Sequence, residues 1–327
     1  MTKLPQEDAP FTLRRDAHGI RVVFQFGNEA GDCRYHCRFC TSRNTPRVTP
    51  QENMNEFDRQ LAAWRALPRG RRHPVIYNEG NCTDEEMFSR QTLRHVLAAF
   101  QNDANVAFLS INSRENEATD ELLQDLVAMR LTYPVHFILG VESFSKELPQ
   151  VLGKDTTGEM ERFVRKLKGH NDAYCQGFSR TPAYRFGLDV NLVFLPDLYL
   201  GLGQSRRGSE AAIMSGIKSD VRGVLDRLDP SVPTEINIHP YTRTPTIECD
   251  DAELGLLMEV LPELQKMIEE HRRTWSGRPT HMFIGIEGKG YGSAAWARSI
   301  TRWISTIDAF NATGQVTLHG DRSRGRR

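Results

Sequence analysis

Residues 20–40 read IRVVFQFGNEAGDCRYHCRFC, an apolar segment followed by a short polar link and three cysteines. The apolar segment, residues 20–27, predicts a strand that is covered on both faces. Cys33, Cys37 and Cys40 follow a C-x3-C-x-aromatic-C pattern in which Phe39 is the aromatic residue. Three thiolates at this spacing can ligate three irons of a [4Fe–4S] cluster and leave the fourth iron open. The sequence therefore predicts a cluster-binding loop directly after the first strand.

A structural zinc site is the main alternative for these cysteines. Such sites usually combine paired C-x2-C elements with a fourth ligand. His36 lies inside the cysteine loop, and no second cysteine pair follows. The iron–sulfur interpretation is therefore favoured, and S-adenosylmethionine (SAM) can chelate the open iron through its amino and carboxylate groups.

Strand-like and helix-like segments alternate along the rest of the chain. Further apolar segments, rich in Val, Ile and Phe, lie at 74–80, 105–112, 135–141, 186–195 and 234–240. Helical patterns lie at 53–66, 87–101, 119–131, 157–168, 209–228 and 251–272. Six such strands predict a parallel sheet with right-handed crossovers. We expect an α/β fold, a partial (β/α)6 barrel with its chemistry at the carboxyl ends of the strands.

The same pattern predicts the organisation of the chain. We expect an N-terminal extension at 1–19, the barrel at 20–245, a C-terminal extension that closes the barrel at 246–318, and a disordered basic tail at 319–327. Within the C-terminal extension, residues 280–292 are a candidate strand and residues 293–308 a candidate helix. The polar segment 170–185 is longer than a barrel connection needs, which indicates a lid or a substrate wall.

Composition narrows the possible partners and compartment. Lys+Arg and Asp+Glu both total 42 in 327 residues, and this balance argues against a nucleic-acid-coating protein. Neither a signal-peptide pattern nor an apolar run of membrane-spanning length occurs in the sequence, so we expect a soluble, cytoplasmic protein. Beyond the cluster motif, Cys82, Cys175 and Cys249 are widely separated, unlike a disulfide framework.

From about residue 20 to about 245 the chain resembles the radical SAM superfamily, in which the second strand ends in a Gly-Gly-Glu type turn. The matching residues here are Asn78-Glu79-Gly80-Asn81, a degenerate version. The later strand ends Ser110–Glu115 and Gly140–Ser143, with Gly153–Thr156, resemble the branch that contains Elp-type and archaeosine-type proteins. The resemblance implies that a set of residues lines the SAM site: Phe39, Glu79, Asn81, Ser110, Asn112, Arg114 and Glu142.

Within this implied site, Glu79 or Asn81 would contact the SAM ammonium group and Arg114 its carboxylate. Glu142 would lie near the ribose or the ammonium group. Each contact has a structural alternative, because Arg114 can brace a loop by a salt bridge and Glu142 can anchor a helix N-terminus.

Cys249 is the candidate for the second half of a radical reaction. A thiol S–H bond is weaker than a typical sugar C–H bond, so a positioned cysteine can return a hydrogen atom to a carbon radical. Return from the opposite face inverts the carbon. Cys249 follows the strand 234–240 in a polar Glu-Cys-Asp-Asp context, whereas Cys82 lies beside the expected SAM turn. The alternative for any single cysteine is a small buried apolar residue.

With this length, cluster loop and cysteine, the chain resembles the radical SAM aminoglycoside epimerases. The resemblance implies an isomerase of antibiotic biosynthesis that inverts one sugar carbon with Cys249 as hydrogen donor. It also implies an electron donor such as flavodoxin or ferredoxin. A polycationic aminoglycoside needs carboxylates, and the candidates are Glu79, Asp84, Glu85, Glu86, Asp189, Asp197, Glu235, Glu248 and Asp250, with Tyr184 and Tyr241 as candidates to stack on sugar rings.

Three other functions stay open at this stage. An Elp-like enzyme that modifies RNA would share the barrel, although the neutral charge argues against nucleic acid. A radical SAM dehydrogenase or deaminase acting on an aminosugar would share the substrate, and a dehydrogenase often carries an auxiliary cluster. A non-catalytic cluster-binding protein would need no SAM pocket.

Overall fold

A sheet of eight strands forms the centre of the protein, and helices cover its outer face. The computed structural model describes residues 12–35, 37, 45–78, 80–154, 156, 158–177, 184–201, 208–240, 251–274, 281–285 and 294–313. The strands are β1 (Thr12–Asp16), β2 (Gly19–Phe26), β3 (Arg72–Asn78), β4 (Leu109–Ser113), β5 (Val135–Glu142), β6 (Phe186–Phe194), β7 (Thr234–Pro240) and β8 (His281–Ile284). The helices in these ranges are α1 (Pro50–Arg65), α2 (Arg90–Ala99), α3 (Asp120–Ala128), α4 (Leu148–Leu152), α5 (Glu159–Gly177), α6 (Asp197–Leu200), α7 (Glu210–Leu225), α8 (Asp251–Thr274) and α9 (Ala294–Thr313).

The strands lie side by side in chain order, from β1 to β8. β1 is antiparallel to β2, and every later pair of neighbours is parallel. The sheet curls into a half-barrel, and the rings of His18 and His281, from its two edges, lie 4.7 Å apart between centroids. The predicted α/β class is confirmed, and the curled sheet is compatible with the predicted partial barrel.

Two strands lie outside the six that the sequence predicts. β8 falls within the candidate segment 280–292, whereas β1 falls within the expected N-terminal extension. The sequence of β1, TLRRD, has one large apolar residue, as an edge strand permits. Its hairpin to β2 is set by the Asp16 carboxylate, which accepts the His18 N–H (2.7 Å), and by Gly19 at a φ of +125°. A side chain at Gly19 would overlap the backbone of Arg71.

The expectation of a polar loop over 170–185 is wrong for its first half. Helix α5 continues to Gly177, and residues 178–183 lie outside the described ranges. Asn171 explains the longer helix, because its side chain donates to the Phe186 carbonyl (2.8 Å) and accepts the N–H of Arg185 (3.0 Å). A buried polar side chain thus ties α5 to β6, and its polarity makes the segment resemble a loop.

The outer face of the sheet packs on the helices through apolar side chains. The Phe24 ring of β2 lies 5.6–5.7 Å from the rings of Phe57, Trp64 and Phe100. This contact explains why β2 has apolar residues at its outward positions.

The inner face of the half-barrel is largely polar, with Val23, Val75 and Ile138 as a small apolar cluster on it. Arg21 of β2 donates to Glu235 of β7 at 2.6 Å, across five strand positions, so both side chains point into the curl. Side chains at alternate positions of the strands continue this face: His73, Ser110, Asn112, His136, Asp189, Asn191, Asn237 and His239.

Candidate active site

The loop after β2 is attached to its neighbours at its first residues. The Asn53 side chain of α1 accepts the N–H of Gly27 (3.0 Å) and donates to its carbonyl (3.1 Å). The buried Glu29 carboxylate accepts from Asn53 (3.0 Å), from the Ser89 N–H (2.9 Å) and from the Thr92 hydroxyl (2.7 Å). These bonds fix the start of the cysteine loop on α1 and α2.

Two of the three predicted cluster ligands lie in the described part of this loop. Cys33 is half-buried and Cys37 is 8% exposed, and neither forms a disulfide. Cys40 and Phe39 lie outside the described residues. The loop therefore presents two thiols at the carboxyl edge of the sheet, directly after the first parallel strand.

Two side chains between these cysteines attach the loop to the ends of β3 and β4. Arg34 forms ion pairs with the buried Asp84 and, at 2.8 Å, with Glu117. The Tyr35 hydroxyl also donates to Glu117. Burial and this bond to Glu117 raise the pKa of Tyr35 to about 12, so the phenol stays protonated.

Arg114 lies beside the sulfur of Cys37. Its guanidinium stacks 3.9 Å from the centroid of the Tyr35 ring, and its Nη2 donates to the Cys37 Sγ at 3.5 Å. A neighbouring guanidinium stabilises a thiolate, which is the form that ligates iron. This environment fits a metal-bound sulfur at Cys37. The described contacts of Arg114 are thus with the cluster loop itself, whereas the resemblance implies a contact with the SAM carboxylate.

The turn after β3 carries an open hydrogen-bond donor. The Asn81 Oδ1 accepts the N–H (3.0 Å) and the hydroxyl (2.7 Å) of Thr83, whereas its buried Nδ2 has no partner among the described residues. An amide N–H group binds a carboxylate or another acceptor and cannot bind an ammonium group. Asn81 thus fits a SAM carboxylate better than the implied SAM ammonium. Glu79 lies outside the described residues.

Asn112 of β4 shapes this turn. Its Nδ2 donates to the Gly80 carbonyl at 2.9 Å, and its Oδ1 lies 3.3 Å from the N–H groups of Asn78 and Cys82. With both ends of its amide engaged, Asn112 positions the turn that carries Asn81.

Glu142 ends β5 in a strained conformation. Its φ is +67°, which is uncommon for a residue with a side chain. Lys154 forms an ion pair with its Oε1 at 2.9 Å, and both side chains are nearly buried. A side chain at Gly140 would displace the Glu142 carboxylate and the Lys154 ammonium group from their present positions. The described partner of the Glu142 carboxylate is therefore Lys154.

No protein-family model and no curated protein matches this chain. None of the helices in the described residues is long and apolar enough to cross a membrane.

Three residues that the sequence places at the edge of the sheet lie deeper, on the inner face. The Ser110 hydroxyl donates its one hydrogen to Asp189 and accepts the Nε2–H of His73 at 2.7 Å, and Asp189 also bonds His136 at 2.8 Å. Glu235 pairs with Arg21. The pKa of Glu235 is raised to about 8, chiefly by burial and also by the charges of Asp189 and Asp16, while Arg21 opposes the increase.

The inner face also contains a group of metal-ligand type. Atoms of Asp16, His73 and Glu235 lie within 4.8 Å of one another. However, Arg21 already occupies the cation position at Glu235 (2.6 Å), and Asp16 bonds the Nδ1 of His73 (2.9 Å). This group is an internally paired network, and no metal is assigned to it.

The remaining candidate residues differ in exposure, and some of them lie outside the described residues. Asp84 is engaged by Arg34, Glu85 and Glu86 are exposed, and Asp197 is half-buried. Cys82 is buried, which raises the pKa of its thiol, and Cys175 is exposed on α5. The Tyr184 hydroxyl bonds His136 (3.0 Å) and is engaged there. The candidates outside the described residues are Tyr241, Glu248, Cys249 and Asp250.

Sequence reasoning missed most of the inner face. Arg21, His73 and His136 each stand in an apolar strand at a position of inward parity. Such polar residues at a spacing of two are the signal that could have identified the network.

Proposed function

We propose that this protein is a radical SAM enzyme. The observation that supports it most is the arrangement at the carboxyl edge of the sheet. Cys37 receives an N–H group from Arg114, and the buried Nδ2 of Asn81 lacks a partner in the described residues of the neighbouring turn. The N–H group of Arg114 suits Cys37 as a thiolate ligand, and the Nδ2 of Asn81 suits an acceptor such as a carboxylate.

In this proposal Cys33, Cys37 and Cys40 hold a [4Fe–4S] cluster, and Asn81 donates to the SAM carboxylate. When bound, the cluster and SAM would supply the 5′-deoxyadenosyl radical that removes a hydrogen atom from the substrate. The ion-paired Glu142 is held at the end of β5, and its backbone strain is offset by the contacts around it. Arg34 and Tyr35 keep the cluster loop against β3 and β4.

We infer that the substrate is an aminoglycoside and that the reaction is epimerisation of one sugar carbon, as in the conversion of neomycin C to neomycin B. The basis is the resemblance of the sequence and the position of Cys249 in the segment 241–250 that joins β7 to α8. Carboxyl ends of parallel strands share one edge of the sheet, so this segment starts on the same side as the cluster loop.

Cys249 is the hydrogen donor in this proposal. Its S–H bond breaks as the new C–H bond forms on the opposite face, which leaves a thiyl radical on the cysteine. One electron and one proton restore the thiol, and a second electron is needed for SAM cleavage. Flavodoxin or ferredoxin is the expected donor, and the cytoplasm, where thiols stay reduced, is the expected compartment.

The test uses the full chain, reconstituted without oxygen, with dithionite, SAM and neomycin C in deuterium oxide. We expect 5′-deoxyadenosine and a neomycin B product with one carbon-bound deuterium by mass spectrometry. Cys249→Ala should form 5′-deoxyadenosine without the epimer, whereas Cys175→Ala, changed at an exposed cysteine, should match the wild type.

The outcomes separate the two halves of the proposal. SAM cleavage by a variant in which Cys33, Cys37 and Cys40 are all alanine would refute the radical SAM assignment. Normal epimerisation by Cys249→Ala would refute only the donor assignment.

A further inference from the structure

The inner face of β7 has two buried polar atoms with no hydrogen-bond partner among the described residues. They are the Oδ1 of Asn237 and the Nε2 of His239. The two residues are two apart on one strand, so their side chains share a face. An unpaired buried polar atom is costly in a folded protein and is retained where something else uses it.

The position of each side chain is fixed by its surroundings. The Nδ2 of Asn237 donates to the Asn191 Oδ1 on β6 at 2.9 Å, which directs the Asn237 Oδ1 away from that bond. The His239 ring lies against Gly285, directly after β8, where any side chain would overlap it. Gly285 is itself close to β7, since its N–H donates to the Ile238 carbonyl at 2.9 Å.

His136 is an internal comparison for His239. Its ring likewise lies against a glycine of the next strand, Gly187. Both of its nitrogens are engaged, one by Asp189 (2.8 Å) and one by Tyr184 (3.0 Å). Both rings therefore pack against a glycine, but His136 has partners at both nitrogens, whereas the Nε2 of His239 has none among the described residues. His239 lies on β7, the strand that leads directly into the segment 241–250.

We propose that Asn237 and His239 form a recognition site for two adjacent polar groups of the sugar, with Asn237 accepting from an amine or hydroxyl and His239 bonding a neighbouring hydroxyl. This inference rests on the proposed function and names residues that select its substrate. The site lies on the strand that precedes Cys249, across the sheet from β2 and β3, which lead into the cluster loop and the turn with Asn81.

The electrostatics of the inner face suit a cationic sugar. Burial and the charge of Arg21 lower the pKa of His239 to about 4, so its ring is neutral near pH 7 and does not repel an ammonium group. Asp16 and Asp189 lie on the same face as Arg21, and Glu235, whose pKa is raised to about 8, is largely protonated near pH 7, so these groups give the inner face no excess of positive charge.

The test combines stability and binding in the full-length protein. His239→Phe keeps the ring and removes an atom without a protein partner, so the free energy of unfolding should stay the same or rise. His136→Phe, the matched control, removes two hydrogen bonds and should lower the free energy of unfolding.

Binding is measured by calorimetry at a temperature well below the unfolding midpoints of all variants. Neomycin C should bind His239→Phe and Asn237→Leu at least tenfold more weakly than the wild type. His136→Phe should keep the wild-type affinity, and spermidine, an amine without a sugar, should bind all four proteins weakly and alike.

Each outcome has a distinct meaning. A loss of stability in His239→Phe equal to that in His136→Phe, or unchanged affinity for neomycin C in both β7 variants, would overturn this inference and leave the proposed function intact. Failure of the wild type to bind neomycin C would overturn the proposed substrate and the recognition site together.

Discussion

Arg114 contacts a ring and a sulfur with one guanidinium group. It lies 3.9 Å from the Tyr35 ring centroid, and the distance from its Nη2 to the Cys37 Sγ is 3.5 Å. The stacking on Tyr35 restricts the side chain, so the N–H group stays directed at the sulfur. Hydrogen bonds to ligating sulfurs and nearby charge are the main means by which a protein adjusts the reduction potential of an iron–sulfur cluster.

We predict that Arg114→Gln lowers the midpoint potential of the reconstituted cluster by roughly tens of millivolts, because the reduced, more negative cluster loses a cationic donor. Redox titration monitored by electron paramagnetic resonance, without SAM, measures the potential. Arg94→Gln removes an equal charge from an exposed ion pair with Asp125 and should leave the potential unchanged. An unchanged potential in Arg114→Gln together with weaker SAM binding would instead assign Arg114 to the SAM carboxylate.

The end of β5 shows how one element holds a strained residue of another. Asp220 of α7 accepts the N–H of Phe144 (2.7 Å), the hydroxyl of Ser143 (2.8 Å) and the hydroxyl of Tyr199 (3.1 Å). Its bonds to Ser143 and Phe144 fix the chain immediately after Glu142, whose φ is +67°. The helix thus supports the backbone conformation that directs the Glu142 carboxylate toward Lys154.

We predict that Asp220→Asn removes a pH dependence of stability. Burial raises the pKa of Asp220 from 3.8 to about 6, although its three hydrogen bonds lower it. Between these values the folded protein binds more protons than the unfolded chain, so its free energy of unfolding falls as the pH rises through about 4 to 6. The fall relative to Asp220→Asn should reach at most about 3 kcal/mol. Urea unfolding at several pH values measures it, and parallel profiles for the two proteins would refute it.

The elements differ in how far their sequences predict them. The parallel strands are predicted because burial on both faces favours segments rich in Val, Ile, Leu and Phe, which β5 and β6 keep although His136, Asp189 and Asn191 occupy inward positions. β1 is not predicted, since an edge strand needs few apolar residues, and α5 is predicted too short because Asn171 is a buried polar residue. The cysteine spacing predicts the cluster loop, which stays a prediction. The contacts of Arg114 with Tyr35 and Cys37 join distant elements, and no local pattern encodes them.

Across the whole molecule, one chain of hydrogen bonds links five strands through the inner face. Five bonds join six groups in the order Asp16, His73, Ser110, Asp189, His136 and Tyr184. Each bond needs one hydrogen, whereas two neutral imidazoles and two hydroxyl groups supply four. The complete chain therefore holds at least one proton beyond those of two carboxylates and two neutral rings. The network is a structural unit of the half-barrel, because breaking it anywhere leaves buried polar groups without partners.

Ser110, at the centre of this network, allows a structural role to be distinguished from a role in cofactor binding. Ser110 bonds His73 on one side and Asp189 on the other, and all three are buried. Ser113, three residues further along β4, bonds Thr83 at 3.1 Å at the carboxyl edge. One strand therefore carries a serine in the network and a serine beside the proposed SAM site.

We predict that Ser110→Ala lowers the free energy of unfolding by about 2–4 kcal/mol, because it leaves the Nε2 of His73 and the Oδ2 of Asp189 buried without the partner that each has in Ser110. Ser113→Ala, the control on the same strand, should cost about 1–2 kcal/mol, since it breaks two neutral hydrogen bonds, one with Thr83 and one with the Arg114 carbonyl. Urea unfolding measures both, and titration with SAM should give Ser110→Ala the wild-type affinity. If Ser110→Ala instead kept its stability and bound SAM more weakly, Ser110 would belong to the cofactor site that the sequence resemblance implies, and the network would not be the unit that holds the inner face together.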